Sequence, residues 1–170
     1  VTGTVVWFTG LPQSGKSTLA VRLRDRIHPR CPSVVLDSDV LREVLAVERY
    51  DAAHRDELYR VLANLAIVLA RQGLVVLVAA TAARRAYRDL ARASAPRFLE
   101  VWVRTPLEEC ERRDAKGLYA RARSGEAPAL PGVGTPYEVP LAPDVTANGG
   151  LDDEALATLE QLVCSEIRTF

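Results

Sequence analysis

A three-layer α/β fold, with a parallel sheet covered by helices on both faces, is the architecture this 170-residue sequence predicts. Three observations predict it. Short apolar, β-branched runs alternate with longer segments of helical period, which is the pattern of a parallel sheet buried on both faces. The first such run is followed at once by a glycine-framed loop and then a helix. The length suits one domain, residues 1–170, large enough to bury a core without disulfides or metal.

The elements follow in order. "TVVWF" (4–8) reads as a buried strand. Gly10 to Gly15 form the loop, and Lys16 opens a helix reaching to about Ile27. "SVVLD" (33–37) is the second strand, and a helical stretch follows from Asp39. A long amphipathic helix carries Leu58, Val61, Leu62, Leu65, Val68 and Leu69 at spacings of three and four, and Gly73 ends it. "LVVLVAA" (74–80) and "RFLEVWV" (97–103) are the third and fourth strands. Pro106 suits the first position of a helix with acids early and arginines late. "DVTA" (144–147) is a short fifth strand, and Asp152, Asp153 and Glu154 begin a final helix. Residues 114–143 break the rhythm, being rich in Gly, Pro, Ala and Arg without a clear period; a lid is expected there.

Acidic and basic residues balance at 22 each, which gives no electrostatic case for nucleic acid or an anionic membrane as partner. The longest apolar run is too short to cross a bilayer. Cys31, Cys110 and Cys164 have no metal-ligand spacing and form no disulfide framework, so reduced thiols and a cytoplasmic location are expected. No signal segment is seen before Val1 and the sequence has no methionine, as expected of a processed chain or of a domain from a longer protein.

The chemistry starts at "GLPQSGKST". Gly10, Leu11, Pro12, Gln13, Ser14, Gly15, Lys16 and Ser17, with Thr18 beyond, satisfy the GxxxxGK pattern followed by serine or threonine, between a strand and a helix. Glycines let backbone N–H groups turn inward on phosphates, and the helix N-terminus adds partial positive charge. Lys16 reaches the outer phosphates, and the Ser17 hydroxyl is the expected magnesium ligand. No guanine-reading Asn-Lys-x-Asp is present, and "DAKG" (114–117) follows a helix rather than a strand, which argues against a GTPase. A small-molecule kinase using ATP and Mg2+ remains. Asp37 and Asp39, just past the second strand, are placed to orient the magnesium shell or take a proton from an attacking hydroxyl; helix capping is the other reading of each.

Further motifs in register give a resemblance to the adenylylsulfate kinase family, which phosphorylates the 3′-hydroxyl of adenosine 5′-phosphosulfate (APS). "LDSDVLR" is similar to the family's Leu-Asp-Gly-Asp-x-x-Arg. "FLEVWVRTPLEECERRDAKGLYARARSGE" (98–126) resembles four of its segments in unbroken order, and "GVGTPYEVP" (132–140) another. The resemblance implies Asp39 as the base, with Lys16 and Lys116 beside the transferring phosphoryl group. It implies Arg42 and Arg55 on the sulfate–phosphate end of APS, a role that a dianionic acceptor also asks of arginine forks, although surface helix charges are the alternative. It implies Tyr50 against the APS adenine, Arg113 and the chain around Gly149 against the ATP adenine, and a possible homodimer.

The departures gather on the acceptor side. Leu58 stands where the family has asparagine, His54 where it has aspartate, and Val61 where it has arginine. "ATAA" (80–83) replaces Phe-Ile-Ser-Pro, so Thr81 and Ala82 are the acceptor-loop positions and the serine is lost. Leu130 replaces a second stacking ring. The expectation is therefore an APS kinase. The alternatives are a kinase of the same build with another small hydroxyl acceptor, or a weakly catalytic nucleotide-binding regulatory domain, against which Lys16, Ser17, Asp39 and Lys116 speak.

Overall fold

The structure, a computed structural model, describes residues 3–28, 30–46, 51–126 and 130–165. Its elements are β1 (Thr4–Thr9), α1 (Lys16–Ile27), β2 (Ser33–Asp37), α2 (Ser38–Val44), α3 (Ala52–Arg71), β3 (Val75–Ala79), α4 (Arg85–Ser94), β4 (Phe98–Val103), α5 (Leu107–Arg112), α6 (Leu118–Arg123), β5 (Leu130–Pro131), β6 (Gly134–Thr135), β7 (Val145–Ala147) and α7 (Asp153–Cys164). Five strands form one sheet in the order β2-β3-β1-β4-β7, with every pairing parallel. All five are the strands the apolar runs predict.

The central strand shows how the layers arise. Along β1, Val6 and Phe8 face one way and pack with Leu19, Leu23 and Ile27 of α1 and Leu156 and Leu159 of α7. Val5 and Trp7 face the other way and pack with Tyr59, Leu62 and Ala66 of α3 and Ala91 of α4. Alternation at a period of two thus feeds two separate cores. A strand buried on both faces must be apolar throughout, which is why "TVVWF" carries no charge.

The buried face of α3 differs from the one its leucines suggest. Leu58 and Leu62 are buried, but the rest of the inward stripe is Tyr59, Ala63, Ala66, Ile67 and Ala70, while Val68 is 52% exposed. Small alanines let the helix approach the sheet closely, and the larger residues move to its flanks.

The described residues of the 114–143 stretch hold more regular structure than its composition suggests. The Asp114 carboxylate accepts from Leu118 N at 2.9 Å and Tyr119 N at 2.7 Å, which starts α6. Beyond it, β5 and β6 form a small two-stranded pair. Pro106 sits one position earlier than the sequence suggests, as the N-cap of α5.

Candidate active site

Parallel strands bring five chain segments to one edge: the loop after β1, Asp37 at the end of β2, Thr81–Ala83 after β3, Thr105 after β4, and Asn148–Gly150 after β7. This is the edge where open α/β sheets bind ligands.

The loop after β1 owes its shape to close contacts. A Cβ on Gly10 would lie 2.5 Å from the Val103 carbonyl oxygen. Gly15 has φ +99° and a Cβ there would lie 2.5 Å from Gly150 N, so only glycine fits. Two hydroxyls from outside tie the loop down: Thr105 Oγ1 donates to Ser14 O at 2.6 Å, and the Tyr119 hydroxyl donates to Pro12 O at 2.7 Å. Gly15 begins α1 with no side-chain cap, and the first turn carries no acid. The positive end of α1 therefore points into the loop with N–H groups to offer an anion.

Lys16 bends back over that loop, its ammonium donating to Leu11 O at 2.7 Å and Gly10 O at 3.1 Å. Burial pulls its pKa down to about 8, against the opposing charges of Asp39, Cys110 and Asp37. Ser17 Oγ donates to Asp37 Oδ2. The other oxygen of Asp37 accepts from Asp39 N at 2.8 Å and so caps α2. Asp37 thus does both things the sequence left open: it caps a helix and holds the Ser17 hydroxyl. A hydroxyl beside a carboxylate is an all-oxygen donor set that suits magnesium, which takes few protein ligands and keeps waters and phosphate oxygens. Among the described residues no cluster of three or more His, Cys, Asp or Glu could hold a metal by itself.

Asp39 and Lys116 come from segments 77 positions apart, and Lys116 Nζ donates to Asp39 Oδ2 at 3.4 Å. Both side chains are exposed, so the pair contributes little to stability and is free to part. The charges of Arg42 on α2 and Arg55 on α3 are felt at the Tyr59 hydroxyl. Burial pushes that phenol up, while the Ala82 N–H, Arg42 and Arg55 act in the opposite sense and Asp39 adds to the rise.

Two positions expected to line an acceptor pocket are placed otherwise. Leu58 is 1% exposed and lies in the core, because its helix face turns toward the sheet. Ala82 is fully buried, with φ +41°; its N–H donates to the Tyr59 hydroxyl at 3.0 Å and its carbonyl accepts from Arg88 Nη1 at 2.5 Å. Fully buried and with its N–H already donated, Ala82 presents no polar side chain to a ligand. Thr81 is half-buried and its carbonyl accepts from Thr9 Oγ1 at 2.6 Å. Leu130 is half-buried in β5. Tyr50 lies outside the described residues. His54 binds the Asp51 carboxylate at the start of α3, 2.8 Å away, as a helix-end histidine does.

On the other side of the loop, Arg113 pairs with Glu109 on its own helix at 2.5 Å. Gly149, at φ +123°, precedes the Gly150 that abuts Gly15. Sequence reasoning missed Tyr59, Thr105 and the buried Arg88–Glu100 pair (2.7 Å), which holds the acceptor-side loop from below. Tyr119 lay within a quoted motif, but its tether to Pro12 has no signal in spacing.

The chain as a whole is similar to known proteins. The sequence pattern of the adenylylsulphate kinase family matches residues 2–148. An adenylyl-sulfate kinase of Picosynechococcus sp. is 39% identical over 153 residues, 89% of this chain and 86% of that protein. One from Synechococcus sp. is 38% identical over 169 residues, 98% of this chain and 95% of that protein. The Mycobacterium tuberculosis APS kinase CysC, solved with AMPPNP and APS, superposes with a TM-score of 0.85 at 38% identity, covering 95% of this chain and 98% of the other. A family pattern spanning the sheet and the phosphate loop, with relatives matched over nearly their whole length, places this chain in the adenylylsulphate kinase family.

Proposed function

We propose that this protein transfers the terminal phosphoryl group of ATP, with magnesium, to the 3′-hydroxyl of APS. The observation that carries the reading is the meeting of Asp39 and Lys116 beside the Lys16–Ser17 end of the phosphate loop. It is supported by 38% identity to a kinase solved with an ATP analogue and APS.

The uncapped start of α1 and the loop amides receive the phosphates. Lys16 exchanges its two carbonyl partners for phosphate oxygens, where its charge counts most as negative charge spreads in transfer. Ser17 and Asp37 would hold the magnesium, which when bound neutralises charge on the outer phosphates. Asp39 takes the proton of the attacking hydroxyl. Arrival of the acceptor separates Asp39 from Lys116, and Lys116 turns to the transferring group. Arg42 and Arg55 hold the sulfate–phosphate end of the acceptor. Residues 114–143 act as the lid, hinged where Asp114 starts α6 and Tyr119 ties that helix to the loop.

One observation favours a second acceptor of the same class. Neither Ala82 nor the core residue Leu58 offers an acceptor a polar side chain, and a site that makes fewer hydrogen bonds to its ligand discriminates less. Release of ADP is therefore measured with APS and with a panel of nucleotides and sugars. APS-dependent release supports the first reading; release with another acceptor alone supports the second. Sizing chromatography with light scattering tests the homodimer that the family resemblance suggests.

A further inference from the structure

Two of the three cysteines meet at the far end of the molecule. Cys31 lies in the turn between α1 and β2 and is 1% exposed; Cys164 is the last residue of α7 and is partly exposed. Their sulfurs stand 3.7 Å apart, although the residues are 133 positions apart in sequence. Cys110 is elsewhere, buried with its thiol against the Thr105 carbonyl.

The sulfurs are held together by a charge clamp. Glu160 lies one helical turn before Cys164, on the same face of α7. It accepts from Arg26 Nη1 at 3.3 Å and from Arg30 Nη2, and Arg30 immediately precedes Cys31. Arg97 holds the same last turn from another side, donating to Leu162 O at 2.9 Å. Cys31 itself packs in the core with Leu159 and Val163 of α7, and Cys164 rests against that cluster. Burial pushes the Cys31 thiol up to about 11, while the Arg30 charge pulls it down. The more exposed Cys164 is the sulfur an oxidant reaches first.

We propose that Cys31 and Cys164 form a reversible oxidation site that a peroxide converts to an intrachain disulfide. The Cys164 thiolate attacks one oxygen of hydrogen peroxide. The O–O bond breaks, the departing hydroxide takes a proton to become water, and Cys164 becomes a sulfenic acid, oxidised by two electrons. The Cys31 sulfur then attacks the Cys164 sulfur. The S–S bond forms, the S–O bond breaks, and the hydroxyl leaves as a second water with the Cys31 proton. In total, two thiols and one peroxide give one disulfide and two waters; a dithiol reductant reverses it.

The pair sits at the C-terminal ends of α1 and α7. The phosphate loop is at the other end of α1, about 18 Å away for a 12-residue helix. The bond therefore staples the two helices without entering the site, and by restraining the unfolded chain it raises the melting temperature. This inference does not rest on the proposed reaction.

The test treats the full chain with stoichiometric hydrogen peroxide and then maps its peptides without reduction. The expected result is a loss of about 2 Da, two hydrogens, a single Cys31–Cys164 linkage, a free Cys110 thiol and a higher melting temperature, all reversed by dithiothreitol. In Cys31→Ser, dimedone traps the sulfenic acid at Cys164. In Glu160→Gln, linkage slows several-fold. Both thiols remaining free, overoxidation without linkage, or linkage between chains overturns the proposal; an unchanged rate in Glu160→Gln overturns the clamp.

Discussion

The Lys16 ammonium lies inside its own loop against two carbonyl oxygens, and burial brings its pKa down to about 8. The free protein therefore holds a growing share of neutral Lys16 above that pH, and ATP affinity falls as pH rises through about 8, which nucleotide titrations from pH 7 to pH 9 check. The stability sign follows from the same shift. Between about 8 and the ordinary 10.5 the unfolded chain binds more protons at this site, so this residue's contribution to stability rises across that window. Lys16→Ala is expected to lower turnover at least about 100-fold, the scale of losing one transition-state electrostatic contact. At Asp39 the expected result is a fall in kcat for Asp39→Asn with ATP affinity held within a few-fold; unchanged kcat with a lower melting temperature would leave Asp39 a mere helix residue. Lys16, Ser17 and Asp39 were legible because a short local pattern between a strand and a helix specifies them. Tyr59 was not, because its bond to Ala82 joins residues 23 apart and depends on which face of α3 turns inward.

At the scale of elements, the sheet was legible and the short elements after Asp114 were not. Short β-branched runs bounded by polar segments read as strands, most plainly β1 and β3, which are buried on both faces. By contrast, α6 is six residues long and is started by one carboxylate, Asp114, and one buried ring, Tyr119, so no periodicity announces it. The inward face of α3 was misjudged because alanines carry the close contact and leucines carry the hydrophobicity. The α6 tether bears on function. Tyr119 ties the start of the proposed lid to Pro12, so nucleotide bound in the loop should hold α6 in place. Limited proteolysis is expected to cut this segment in the free protein and to slow markedly with a nonhydrolysable ATP analogue and magnesium. Equal cleavage rates in both states would remove the lid.

Across the whole molecule, a buried polar network joins the acceptor-side loop to the sheet. Arg88 is fully buried and spans Glu100 (2.7 Å), the Ala82 carbonyl (2.5 Å) and the Glu138 carbonyl (2.8 Å), while Thr9 links Thr81 (2.6 Å) to the Tyr137 hydroxyl (2.9 Å). Breaking one half of such a pair strands a buried charge. Glu100→Gln is expected to cost about 3–5 kcal/mol, read as a fall in the denaturant midpoint. A loss under about 1 kcal/mol would mean that water reaches Arg88. Charge balance and length set only broad limits at this scale; Asp39 at the start of α2 and Lys116 between α5 and α6 meet only when the chain is folded. The most direct test of that meeting is the initial rate of ADP release from ATP and magnesium with and without APS, with the product identified. The expected result is APS-dependent release, one ADP per 3′-phosphorylated APS, lost at least about 100-fold in Lys16→Ala. No APS-dependent release, or release that survives Lys16→Ala, would contradict it.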